Sequence, residues 1–193
     1  MGKGRLEAFS DGVLAIIITI MVLELKVPHE ATLDALRPLG PVLASYLVSF
    51  TFVGIYWNNH HNLIHVVKKV DGAIMWANLH LLFWLSLLPV TTGWVGEHPH
   101  SAWPASLYGI VLLGSALAWL VLQTIILRGQ DNDALARELG NDWKGKVSPL
   151  LYIAGILLAH VEPWASELCY VVVAILWIVP DRRLARAAHA AHE

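Results

Sequence analysis

Apolar residues in this chain come in long unbroken blocks, at 9–27, 39–65, 73–95, 102–127, 147–163 and 164–180. A helix needs about 20 residues to cross a bilayer. The blocks therefore predict an all-α membrane protein with six spans, residues 1–193 forming a single transmembrane unit without a separate soluble domain. No block alternates with period two as a barrel strand would. Glu162-Pro163-Trp164 separates the last two spans, and because proline interrupts a helix the pair reads as a tight hairpin. In the polar stretch 128–146, Asp131 to Leu139 reads as a short surface helix with Leu135 and Leu139 on one side.

The first span is unusual. Its uncharged run, Gly12 to Leu23, is shorter than a bilayer crossing and is bracketed by Asp11 and Glu24. A spanning placement draws one or both carboxylates toward the hydrocarbon, where ionisable groups usually face a bundle interior or a water-filled path. Lys3 and Arg5 before an apolar run resemble the start of a signal peptide. Asp11 and the lack of a small-residue cleavage site at Glu24-Leu25-Lys26 argue for a retained helix.

Composition agrees with the pattern: 56% of residues are hydrophobic, 15% are charged and mean hydropathy is +0.57. The net charge of −2 provides no basic surface for nucleic acid. The single Cys169 excludes an intrachain disulfide, and no Cys/His spacing resembles a zinc site. Charge sets the orientation. Lys3, Arg5, Lys68, Lys69, Arg128, Arg137, Lys144, Lys146, Arg182, Arg183 and Arg186 fall on one side, with Lys26 and Arg37 on the other. Positive residues stay cytoplasmic, which places both termini inside. Trp94, Trp103 and Trp164 mark outer interfaces, and Trp143 and Tyr152 lie nearer the cytoplasm.

On the first helix, Gly12, Ile16, Thr19 or Ile20, Leu23 and Val27 form one stripe, with Asp11 and Glu24 near its ends. Such a stripe faces lipid, packs against a neighbour, or lines a pore with a hydrophobic constriction. Thr19 either bonds its own backbone one turn back or offers its hydroxyl to an ion. At the cytoplasmic level, Tyr56-Trp57-Asn58-Asn59-His60-His61-Asn62 and His65 approach Ser10, Asp11, Asn78 and His80. Satisfying one another across helices, these groups make either a structural network or a proton relay through His60, His61 and Asp11. The ten histidines also admit a haem held by His61 and His80. A proton-coupled secondary transporter is a further alternative, although inverted repeats are absent. The chain has no Thr-Val-Gly-Tyr-Gly filter, no Arg-rich span, no P-loop and no nucleophile elbow, so no enzyme reading has support.

Arg5-x-x-x-Phe9-Ser10-Asp11 resembles the Arg-x-x-x-Phe-Ser-Asp signature of the lysosomal potassium-channel family, the transmembrane protein 175 family. Gly12 through Leu25, Trp57-x-x-His60-His61, Asn78 and Leu88-Pro89 also resemble its pattern. The likeness is specific in the first three spans and looser in the last three. It implies a homotetramer of six-span subunits in a bacterial inner membrane, without a re-entrant selectivity filter. The pore would be lined by the first helices. Ile16 and Leu23 would be constriction rings and Thr19 a selectivity layer. Arg5, Ser10, Asp11, His60, His61 and Asn78 would form a structural polar network. Ile16 stands where some bacterial members carry Leu, which keeps the site apolar. Glu24, placed by position alone, would attract cations at the outer mouth. The implied function is a potassium-selective leak with potassium as permeant near Ile16, Thr19 and Leu23, no fixed metal, no cofactor, and only lipid and further copies as partners.

Overall fold

The computed structural model describes residues 2–129 and 143–178. Its helices are α1 (Lys3–Leu23), α2 (Gly40–His65), α3 (Gly72–Ser86), α4 (Leu88–Glu97), α5 (Ala102–Gly129), α6 (Trp143–Leu158) and α7 (Pro163–Ile178). A 3-10 helix, Leu33–Leu39, leads into α2. The described residues contain no strand. The expected surface helix at Asp131 to Leu139 and the basic tail at Arg182, Arg183 and Arg186 lie outside the described residues.

The first helix begins six residues before the expected boundary and ends four before it. Nothing between Lys3 and Ala8 breaks a helix, whereas Pro28 disfavours helical backbone at Val27. Its 21 residues span about 32 Å, enough to cross a hydrocarbon core. Leu6, Ser10, Leu14, Ile17 and Met21 are buried, three or four residues apart, and form the face packed on α2, α3 and α4.

The third span is not one continuous helix, as the apolar run predicted, but two that meet at Leu87. Pro89 has no N–H to donate, and its ring opposes the carbonyl of Leu85. The Leu87 N–H turns instead to the Trp84 carbonyl at 3.2 Å. The first span, Leu33–His65, Gly72–Glu97 and Ala102–Gly129 are each long and apolar enough to cross a membrane. At 16 residues each, α6 and α7 are shorter, and both border residues outside the description. Glu162 accepts the N–H of Ala165 just after Pro163 opens α7, making the expected hairpin.

Helix α5 packs on α3, α4, α6 and α7, which places it inside the bundle, while α1 flanks one side. Tyr152 is buried, against the expectation of an interfacial position. Its ring meets Phe52 of α2 and Tyr170 of α7, each at 6.3 Å between centroids, so it ties three helices together. Trp94, Trp103, Trp143 and Trp164 are exposed, as interfacial rings would be. Nearer the C-terminal end of α1, the buried Ser49 hydroxyl joins Thr92 at 2.7 Å and Tyr108 at 2.9 Å. That trio links α2, α4 and α5 and leaves none of the three hydroxyls dry and unpaired.

Candidate functional site

Opposite its buried face, α1 presents Gly12, Ile16, Thr19, Ile20 and Leu23 outward. Ile16 is 58% exposed and Leu23 79%, while the intervening Ile17 is 3%. Val27 lies past the helix end, so the stripe stops at Leu23. The Thr19 hydroxyl donates to the Ile16 carbonyl at 2.8 Å. With its proton committed to the backbone, the hydroxyl oxygen is left as an acceptor on the exposed face.

At the N-terminal end of α1 the polar residues separate into distinct groups instead of one network. Ser10 donates to the Leu6 carbonyl at 2.9 Å and accepts from the Asn78 amide nitrogen at 2.9 Å. The Asn78 oxygen accepts from His60 Nε2 at 2.7 Å. An amide oxygen only accepts, so His60 carries its proton on Nε2. All three side chains are buried. Asp11 is not in this chain of bonds and accepts from the Trp57 indole N–H at 3.1 Å. His61 turns to Glu7, its Nδ1 2.9 Å from the carboxylate. Arg5 is exposed on α1, away from the buried bonds. Neighbouring helical residues point about 100° apart, so Ser10 and Asp11 do not reach the same partner, nor do His60 and His61.

His61 and His80 have separate partners as well. His80 accepts from the Trp84 indole one turn along its own helix, at 3.0 Å, while His61 faces Glu7. The relay proposed through His60, His61 and Asp11 is likewise divided among three sets of partners.

At the other end, Glu24 caps α1 and is exposed. Its carboxyl leans over Gly93, where a Cβ would lie 3.6 Å from Oε2. Lys26, two residues on, binds Glu97 at 2.9 Å. That hydrogen bond and charge raise the Lys26 pKa above its ordinary value. Lys26 thus gives its hydrogen bond to Glu97, and the charge of Glu24 acts on it more weakly.

Two features escaped the sequence. Glu7 is an unmarked position within the Arg-x-x-x-Phe-Ser-Asp segment, and only the α1–α2 contact pairs it with His61. Ser49, Thr92 and Tyr108 are far apart in the chain and lack a motif.

Comparison with known proteins matches residues 5–89 to the family model described as the endosomal/lysosomal potassium channel TMEM175. A potassium channel of Chryseobacterium sp. (strain P1-3) is 48% identical over 188 residues, covering 97% of this chain and 98% of that one. The human endosomal/lysosomal proton channel TMEM175 is 34% identical over 102 residues, 47% of this chain and 20% of its own length. The crystal structure of a lysosomal potassium-selective channel TMEM175 homolog from Chamaesiphon minutus superposes with a TM-score of 0.77 at 30% identity, covering 92% of this chain and 96% of that one. The Chryseobacterium and Chamaesiphon likenesses extend across the whole bundle, including the last three spans where the motifs are sparse. The chain is a multi-pass membrane protein that belongs to the TMEM175 family, a family of ion channels and not of enzymes.

Proposed function

We propose that four copies of this chain surround an axis with α1 innermost and conduct potassium in preference to sodium as a leak. The observation that carries this reading is the one-sided burial of α1. One face is closed by its own subunit, and the other, with Ile16 and Leu23, is left open. One helix cannot enclose a pore, whereas copies related by closed cyclic symmetry can. The bacterial relatives named as potassium channels support the choice of ion.

In this assembly Ile16 and Leu23 form apolar rings, which set conduction by their width and wetting. Thr19 adds a ring of acceptor oxygens between them. Asp11 and Glu24, repeated around the axis, give both mouths a negative potential that favours cations. Ser10, Asn78 and His60 hold the inner half of α1 at its depth. The chain sits in a bacterial inner membrane with both termini cytoplasmic, in accord with the distribution of Lys and Arg.

The test is flux into liposomes containing the purified protein, with potassium and sodium compared, for the native chain and Ile16→Asn. Potassium-preferring flux that rises and loses discrimination in the variant supports the reading. Flux unchanged by Ile16→Asn removes Ile16 from the pore. No flux of either ion from folded protein removes the channel reading.

A further inference from the structure

We propose that Glu7, His61 and His65 form a binding site for a divalent transition-metal ion of the zinc class at the cytoplasmic end of the first two helices. The site does not depend on the channel reading.

His61 and His65 are one turn apart on α2, so their rings lie on the same face. That face meets α1, and Glu7 comes across from the opposite helix. One ligand atom from each of the three residues lies within 4.8 Å of the others. The two Nε2 atoms are 3.1 Å apart, and His65 Nε2 is 3.9 Å from the Glu7 carboxylate. Metal–nitrogen bonds of 2.0–2.1 Å in a tetrahedron place ligand atoms about 3.3 Å apart, between these two separations. His61 turns Nε2 to His65 and Nδ1 to Glu7, so closing all three donors on one ion takes a rotation of the Glu7 carboxylate from Nδ1 toward the Nε2 pair.

The donor set also selects the ion. Two imidazoles and one carboxylate suit zinc, copper, nickel or iron, and do not suit magnesium or calcium, which take oxygen ligands. The side chains are partly open to solvent, at 43% for His61, 28% for His65 and 21% for Glu7, which leaves an entry path and room for a water ligand. The Lys3 ammonium is held by the His65 backbone carbonyl at 2.6 Å. That bond steadies the last turn of α2. It also places a positive charge that weakens, without blocking, the attraction of a metal.

Two further contacts give the site consequence. The Trp57 ring stacks on His61 with centroids 6.2 Å apart, and its N–H is given to Asp11. A bound metal pins α1 to α2 immediately beside the carboxylate that opens the apolar run.

The measurement is titration of the purified full-length protein with zinc alone by calorimetry, and with cobalt as an optical probe of coordination. The expected result is one metal per chain and a tetrahedral cobalt spectrum. Losing a residue that merely orients a metal ligand weakens binding about 10- to 100-fold, so His65→Ala and Glu7→Gln are each expected to weaken it at least tenfold. His189→Ala with His192→Ala removes the tail histidines and is expected to leave binding unchanged. Glu7→Gln keeps the shape of the side chain, so its effect is separable from misfolding by its elution profile and melting temperature. Binding that survives His65→Ala, or disappears with the tail pair, or is absent from the native chain, overturns the proposal.

Discussion

Asn78 of α3 gives an amide hydrogen to the Ser10 hydroxyl of α1 at 2.9 Å, with both side chains fully buried. Its oxygen simultaneously accepts from His60 of α2. One side chain thus joins three helices, and Ser10 is directly followed by the carboxylate that heads the apolar run.

Replacing Asn78 with Leu strands the His60 N–H inside the bundle. An unsatisfied buried polar group costs about 1–3 kcal/mol. The expected outcome is a lower melting temperature for purified Asn78→Leu and reduced flux in liposomes. Melting at the native temperature would show that the bonds contribute no net stability.

Thr19 offers an oxygen and not a proton, because its hydroxyl hydrogen goes to Ile16. Thr19→Ser keeps the oxygen and is expected to retain potassium preference. Thr19→Ala removes it and is expected to cut the potassium-to-sodium flux ratio about threefold, which corresponds to about 0.65 kcal/mol of differential ion stabilisation. Equal flux ratios in all three proteins would take Thr19 out of ion selection.

Gly96 and Gly12 make a contrasting pair. A Cβ on Gly96 would stand 2.8 Å from the Val42 backbone, so α4 and α2 approach too closely there for any side chain. Gly96→Ala is expected to destabilise the protein by about 1–3 kcal/mol through overpacking. A Cβ on Gly12 meets nothing within 4 Å. Gly12→Ala therefore keeps or slightly raises stability, since alanine is the better helix former by about 0.5–1 kcal/mol. Thermal melts of the two variants decide it, and equal losses would contradict the packing.

The Lys26–Glu97 pair controls the charge beside Glu24. Glu97 raises the Lys26 pKa and Lys26 lowers that of Glu97, so the pair is lost as pH rises through the elevated lysine value or falls through the depressed carboxyl value. At neutral pH it is intact. Glu24→Gln is expected to lower flux about two- to tenfold in dilute salt, with the effect shrinking near 0.15 M, where the screening length is about 8 Å. Glu97→Gln frees Lys26 to approach Glu24 and is expected to lower flux in the same direction. Flux insensitive to both variants in dilute salt would remove Glu24 from the cation path.

The contrast between α1 and the third span shows how much was legible in advance. The apolar stripe Gly12, Ile16, Thr19 and Leu23 was visible as a helical period, and it is the exposed face. The third span read as continuous because hydropathy is blind to the missing N–H of Pro89. Tyr152 was misplaced for a related reason. Tyrosine suits both a membrane interface and a buried ring cluster, and only its neighbours Phe52 and Tyr170 distinguish the two.

By itself, the sequence determined the all-helical membrane class, the boundaries of most spans to within a few residues, and the family signature in the first three. These follow from local properties: the length of apolar runs, the 3.6-residue period and the backbone chemistry of proline. Tertiary structure alone decided which polar residue meets which. Adjacent residues such as Ser10 and Asp11, or His60 and His61, face different directions on their helices. Their partners are therefore chosen by how α1, α2 and α3 are rotated against one another, and Asn78, Trp57 and Glu7 are the partners that rotation selects.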